Sequence, residues 1–117
     1  TLMVHNIPAE YTIDLLMQEW PLDGSYDLLY LPMCSGGKRA VGNAFINFDS
    51  PEFAAAFRSY WHGRRLLHSD SKGRRLRVAT AAVQGLEPNV SQLQTKLCSR
   101  FRSRQCRPII VKAGRLV

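Results

Sequence analysis

The chain has 117 residues and 45% hydrophobic content, enough for one compact domain and too little for a second core of useful size. Eight glycines, six prolines and 21% charged residues fit neither a disordered nor a collagen-like chain. The longest uncharged apolar run, Leu28 to Cys34, is far short of the roughly 20 residues a membrane helix needs, so the chain is not expected to span a membrane. No membrane partner is expected either, because the apolar face of its C-terminal amphipathic segment lacks Trp and is needed for packing.

The net charge of +7 is unevenly spread. Residues 1–57 carry two Lys or Arg against seven Asp or Glu, whereas residues 58–117 carry fourteen against two. Such asymmetry predicts a polyanionic partner, because a concentrated positive potential steers phosphates and screened contacts to them add affinity. Three cysteines, Cys34, Cys98 and Cys106, form no paired framework, and with His5, His62 and His68 they make no zinc-ligand spacing. No metal or other cofactor is expected, and a reducing intracellular compartment, nuclear or cytoplasmic, is the simpler reading. The chain opens at Thr1 with no initiator Met and no leader pattern, and it reads as a fragment of a longer protein.

In chain order, Leu2 to Asn6 is a short apolar strand stopped by Ile7-Pro8. Thr12 is a helix cap, followed by Ile13, Leu16, Met17 and Trp20 at helical spacing, and Pro21 ends the helix. Tyr26 to Met33 is a second strand, and Cys34 to Ala40 a flexible basic loop carrying Lys38 and Arg39. Gly42 to Phe48 alternates, with Ala44, Ile46 and Phe48 toward the core and Asn43, Phe45 and Asn47 on the other face. Ser50-Pro51-Glu52 starts a second helix, whose Phe53, Phe57 and Trp61 read as a core stripe closed by Gly63. Arg75 to Ala81 alternates as a fourth strand, with Leu76 and Val78 inward and Arg75 and Arg77 on the open face.

The order β-α-β-β-α-β predicts an α+β, ferredoxin-like fold: a four-stranded antiparallel sheet with two helices on one face and the other face open. Beyond Pro88, Val90, Leu93, Leu97 and Phe101 at helical spacing, with basic Lys96, Arg100, Arg102 and Arg104, predict an amphipathic third helix. That helix either lies across the open face or packs beside it; the spacing does not choose. The expected organisation is a core over residues 1–82, a helical extension over 83–104 and a strand-like or irregular tail over 105–117.

Val41-Gly42-Asn43-Ala44-Phe45-Ile46-Asn47-Phe48 matches the octamer of the RNA recognition motif at the glycine, the small residue, the aliphatic and both phenylalanines. Leu2 to Ile7 is similar to that fold's first-strand hexamer. More narrowly, the chain resembles the C-terminal RNA recognition motif of the Mei-two-like family of meiosis and development regulators, which includes the plant terminal-ear proteins. The residues that carry this are Asn6-Ile7-Pro8 with Tyr11-Thr12, Tyr26 to Pro32, Val41 to Phe48, Gln84-Gly85 and Cys106-Arg107-Pro108-Ile109, in family order across nearly the whole chain. The resemblance implies RNA binding in post-transcriptional regulation of meiosis or differentiation, and a C-terminal helix continuous with the domain. This chain departs from the family where an aromatic usually stands at Asn43, a basic residue at His5 and a lysine at Glu10.

The expected function is therefore a non-catalytic domain that lays single-stranded RNA across its open face as a monomer. Of the three stacking positions, held here by Met3, Asn43 and Phe45, only Phe45 is aromatic; Tyr30 offers a substitute platform. His5, Asn43 and Asn47 are expected to read base edges, and Lys38, Arg39, Arg75 and Arg77 to hold phosphate. The competing reading is a protein-interaction module on the same fold, favoured by the depleted aromatics and by an apolar third helix that could bind a protein partner. An acylphosphatase-like enzyme shares the topology, but Pro8-Ala9-Glu10-Tyr11 lacks the phosphate cradle and arginine such chemistry needs.

Overall fold

A computed structural model describes residues 1–34, 38–68, 74–97, 106–112 and 114–116. In chain order its elements are β1 (Leu2–His5), α1 (Ile13–Glu19), β2 (Tyr26–Tyr30), β3 (Met33–Cys34), β4 (Arg39–Ala40), β5 (Asn43–Phe48), α2 (Pro51–Trp61), β6 (Arg77–Thr80), α3 (Leu86–Leu97), β7 (Ile109–Lys112) and β8 (Arg115–Leu116). The main sheet runs β6-β1-β5-β2-β7-β8, and its pairs are antiparallel. The expected four strands are its first four; the tail adds two more at the β2 edge. There Ile110 pairs with Leu28 and Ile109 with Leu29, so the segment expected to be strand-like or irregular finds its partner in an otherwise unpaired strand edge. Among the described residues no helix is long and apolar enough to cross a membrane.

Both leading helices start as their sequences dictate. The Thr12 hydroxyl accepts a hydrogen bond from the Leu15 amide and the Ser50 hydroxyl one from the Phe53 amide, with Pro51 in the first turn of α2 where no amide proton is required. α1 and α2 share one sheet face and bury Ile13, Leu16 and Trp20 against Val4, Ala44, Ile46 and Val78. Trp20 meets Phe57 and Trp61 edge-on, at ring-centroid distances of 5.1 and 5.9 Å. The predicted stripe is only partly inward: Phe53 is 48% exposed, and Ala54 packs in its stead beside Phe57 and Trp61. The Tyr26 hydroxyl donates to the Trp20 carbonyl at 2.6 Å, and burial, helped by Asp23, pushes its pKa up to about 12.

One irregularity decides which side chains reach the other face. β2 is bulged at Asp27, so that Tyr26 pairs with Phe48 but Leu28 with Asn47. Strict alternation would put Tyr26, Leu28 and Tyr30 on one face. The extra residue sends Tyr26 into the helix-side core and leaves Leu28 and Tyr30 on the opposite face. The predicted second strand also ends sooner than expected, at Tyr30, before Pro32. Met33–Cys34 and Arg39–Ala40 pair as a separate hairpin in place of the purely flexible loop, while Ser35 to Gly37 at its tip lie outside the described residues.

α3 lies over the face opposite α1 and α2. Leu28, Tyr30 and Val90 are buried yet stand apart from the helix-side core, and Asn89 and Leu93 line a cavity whose floor is Met3, Leu28, Tyr30 and Phe45. Pro88 falls in the first turn of α3, so the helix begins at Leu86, ahead of the proline and not after it. A 3.6 Å ion pair from Lys112 of β7 to Glu87 in the first turn of α3 ties the helix to the added edge. Fully burying an aliphatic side chain is worth about 1.5–3 kcal/mol, so Leu28 and Val90 outweigh that exposed pair in holding α3 down. The side chains of Lys96 and Leu97, and Arg100, Phe101, Arg102 and Arg104, lie outside the described residues.

Candidate nucleic-acid interface

The open-face residues come from β1, β5, β2 and β6, and the register places them in rows. Met3 pairs with Phe45 and Phe45 with Tyr30; His5 pairs with both Asn43 and Arg77. Met3 and Phe45 are half-buried in the middle of the face. Tyr30 is buried and lies nearly parallel to Phe45, with centroids 6.3 Å apart and planes at 23°. The two rings form one continuous apolar floor, with Phe45 the member that remains accessible.

Toward one end, this floor runs under α3. Asn47, expected to read base edges, is instead 7% exposed and consumed by the fold. Its Oδ1 accepts from the Thr1 hydroxyl at 2.7 Å and its Nδ2 donates to Asp27 Oδ1 at 2.8 Å. The same Thr1 oxygen accepts from the Gly85 amide at 2.9 Å and from Asn89 Nδ2 at 3.3 Å, and Asn89 Nδ2 also reaches the Gly85 carbonyl at 2.7 Å. Alternation correctly put Asn47 on this face; α3, which covers it, turned it from a ligand group into a buried structural one. Burial raises the Asp27 carboxyl above its ordinary range, opposed by the Asn47 hydrogen bond and reinforced by nearby Asp49.

Toward the other end the face stays open. His5, Asn43 and Arg77 line a cleft of about 600 Å³ with Asn6, Pro8, Gly42 and Arg74. The side chains of His5, Asn43, Arg74 and Arg77 make no hydrogen bond or ion pair among the described residues. The cleft's shape rests on two backbone devices. Asn6 adopts φ +74°, and its Nδ2 donates to the Arg75 carbonyl at 2.9 Å. Gly42 at φ +123° accepts the Ile7 amide at 2.9 Å in a conformation a side chain would strain. Asn6 and Arg74 were not among the candidate site residues, although Ile7-Pro8 already marked the end of the first strand beside Asn6.

Arg75 departs from its expected place beside Arg77. β6 begins only at Arg77, and the Arg75 guanidinium turns to the helix side, donating Nη1 to the Gly63 carbonyl at 2.9 Å. Lys38 and Arg39 are exposed on the β3–β4 hairpin, apart from the cleft-lining group. Among the described residues no three His, Cys, Asp or Glu side chains converge on a metal site.

Comparison with known proteins agrees with this architecture. The family model described as RNA recognition motif 2 matches residues 1–94. Protein MEI2-like 3 of Arabidopsis thaliana is 34% identical over 112 residues, covering 94% of this chain but 14% of its own length; Protein MEI2-like 5 of Oryza sativa subsp. japonica is 33% identical over the same shares. The chain therefore spans about one seventh of the curated relatives it matches. Among solved structures, the Rna15 RRM with bound RNA (GU) superposes with a TM-score of 0.61 at 18% identity, over 80% of this chain and 95% of that one. A structure described as an Sxl-lethal protein/RNA complex gives 0.57 at 24% identity, over 68% of this chain and 46% of that one. The octamer strand beside its hexamer strand, the helix-covered open face and the match over residues 1–94 place this chain in the RNA recognition motif 2 family.

Proposed function

We propose that this domain binds single-stranded RNA, without catalysis, on the uncovered part of its sheet face. The observation that carries the reading is the juxtaposition of an accessible ring, Phe45, with a cleft in which the side chains of His5, Asn43, Arg74 and Arg77 have no hydrogen-bond or ion-pair partner among the described residues. In it a base stacks on Phe45 with Met3 at its edge, His5 and Asn43 hydrogen-bond base edges, and Arg74 and Arg77 hold phosphates. Lys38 and Arg39 add phosphate contacts from the hairpin. Tyr30 supports Phe45 from beneath α3, and Asn47 is removed from the contact set. A role in post-transcriptional regulation, of meiosis or differentiation, is inferred from the resemblance to its relatives.

The test is the affinity for a short mixed-sequence single-stranded RNA across a salt series. Three to five phosphate contacts give a log–log slope of about −2 to −3.5. Phe45→Ala is expected to weaken binding by about 1–3 kcal/mol, the worth of one stacked base. A slope near zero, or an unchanged Phe45→Ala affinity, overturns the reading.

A further inference from the structure

On the helix side of the β6 edge lies a groove of about 350 Å³, lined by Tyr60, Trp61, Arg64, Arg65, Leu67 and Arg75. Its walls are tied together by backbone: the Gly63 amide donates to the Leu76 carbonyl at 2.8 Å, and the Leu76 amide to the Arg64 carbonyl at 2.7 Å. Two guanidiniums are held in place, each by a single N–H. Arg75 Nη1 bonds the Gly63 carbonyl, and Arg64 Nε bonds the Tyr60 carbonyl while its Cζ sits 4.2 Å above the Tyr60 ring. None of Arg64, Arg65 and Arg75 forms an ion pair among the described residues, so each keeps donors for an anion. Tyr60 is 55% and Leu67 81% exposed. Positive charge beside an exposed aromatic surface is the pairing that holds a single strand, phosphate on cation and base on ring.

The groove adjoins the RNA face proposed above through neighbouring residues. Arg74 lines the sheet-face cleft and its chain neighbour Arg75 lines the rear groove, so two consecutive residues form the boundary between them. We propose that a single-stranded RNA longer than the sheet can hold turns around the β6 edge at Arg74-Arg75 and continues into this groove, with phosphates on Arg64, Arg65 and Arg75 and a base against Tyr60. This rests on the sheet-face reading and extends its footprint to the helix side. An acidic peptide is the competing occupant; the adjacency of Arg74 in the sheet-face cleft to Arg75 in this groove, and the exposed Tyr60 ring beside the arginines, favour RNA.

The test compares a tetranucleotide with a dodecanucleotide of mixed sequence on the wild-type domain, on Phe45→Ala and on the double variant Tyr60→Leu/Arg65→Glu. The double variant keeps an apolar side chain against Trp61 and alters an arginine with no partner among the described residues, and its thermal unfolding is followed in parallel as a check on folding. The expected result is that it binds the tetranucleotide within about two-fold of wild type but loses about 5- to 100-fold for the dodecanucleotide, the worth of one stacked base, with a shallower salt slope by about 0.7 per phosphate contact removed. Phe45→Ala weakens both lengths. Equal losses for both RNAs, or none for the longer, overturn the rear groove while leaving the sheet face standing. Wild-type domain that binds neither RNA overturns both readings. A dodecanucleotide with no advantage over the tetranucleotide, together with NMR shifts at Tyr60 and Arg65 on adding a Glu-rich peptide, overturns RNA as the occupant in favour of protein.

Discussion

The two ends of one sheet face are built from similar residues and have opposite fates. Under α3, Asn47, Asn89 and Thr1 spend their polar atoms on one another and on Asp27, and Leu28 is 1% exposed. At the far end, His5, Asn43 and Arg77 face a cleft with no partner among the described residues. The difference teaches that position on a face does not make a binding residue. A polar side chain is available to a ligand only where no later element has claimed its hydrogen bonds.

The largest effect that separates the two ends is on stability. Leu28→Ala is expected to cost about 2–5 kcal/mol, because it opens a cavity beneath α3, and urea denaturation measures it. A loss below 1 kcal/mol would mean that α3 does not seal this end. Asn47→Ala comes next, at about 1–3 kcal/mol, because the half-buried Asp27 carboxylate and Thr1 hydroxyl each lose their bond to Asn47. RNA affinity per folded molecule should stay unchanged in that variant; a selective affinity loss would return Asn47 to the contact set. Arg77→Ala does the reverse, leaving the denaturation midpoint nearly untouched while the salt slope of RNA binding falls by about 0.7.

The smallest effect is a pH dependence. Asp27 has its folded-state carboxyl raised, chiefly by burial and also by Asp49, so the folded protein holds its proton to higher pH than the unfolded chain. Its contribution to stability is full below the ordinary value of 3.8 and is lost as pH rises through the raised one. Asp23, lowered by its hydrogen bonds from Ser25, has the opposite sign. Asp27→Asn is therefore expected to gain on wild type as pH rises through that window, when denaturation midpoints are compared from about pH 3 to pH 7. A constant difference between the two proteins would show that Asp27 does not titrate differently on folding.

Much of the fold was legible because its signals are local. Alternation over Gly42 to Phe48, the caps at Thr12 and Ser50, and the strand stop at Ile7-Pro8 each act within a few residues. What stayed hidden depends on distant partners. The tail becomes a strand only because β2 offers an edge, and the Asp27 bulge that sends Tyr26 to the core while Leu28 and Tyr30 face the other way leaves no mark in the apolar run. Arg75 was misplaced because the alternation of β6 was carried two residues past its start, into a segment held by Gly63. The basic second half points to a polyanion, but its arginines divide between the sheet face and the helix side at Arg74-Arg75, a division that net charge cannot express.

The most direct test of the divided face is an NMR titration of the domain with a short single-stranded RNA at low salt, repeated with Phe45→Ala. Shifts concentrated on Met3, His5, Asn43, Phe45 and Arg77, with Asn47 and Asn89 nearly still and the pattern lost in the variant, are the predicted result. Equal shifts at both ends, or shifts confined to Asn47, Asn89 and α3, would contradict it.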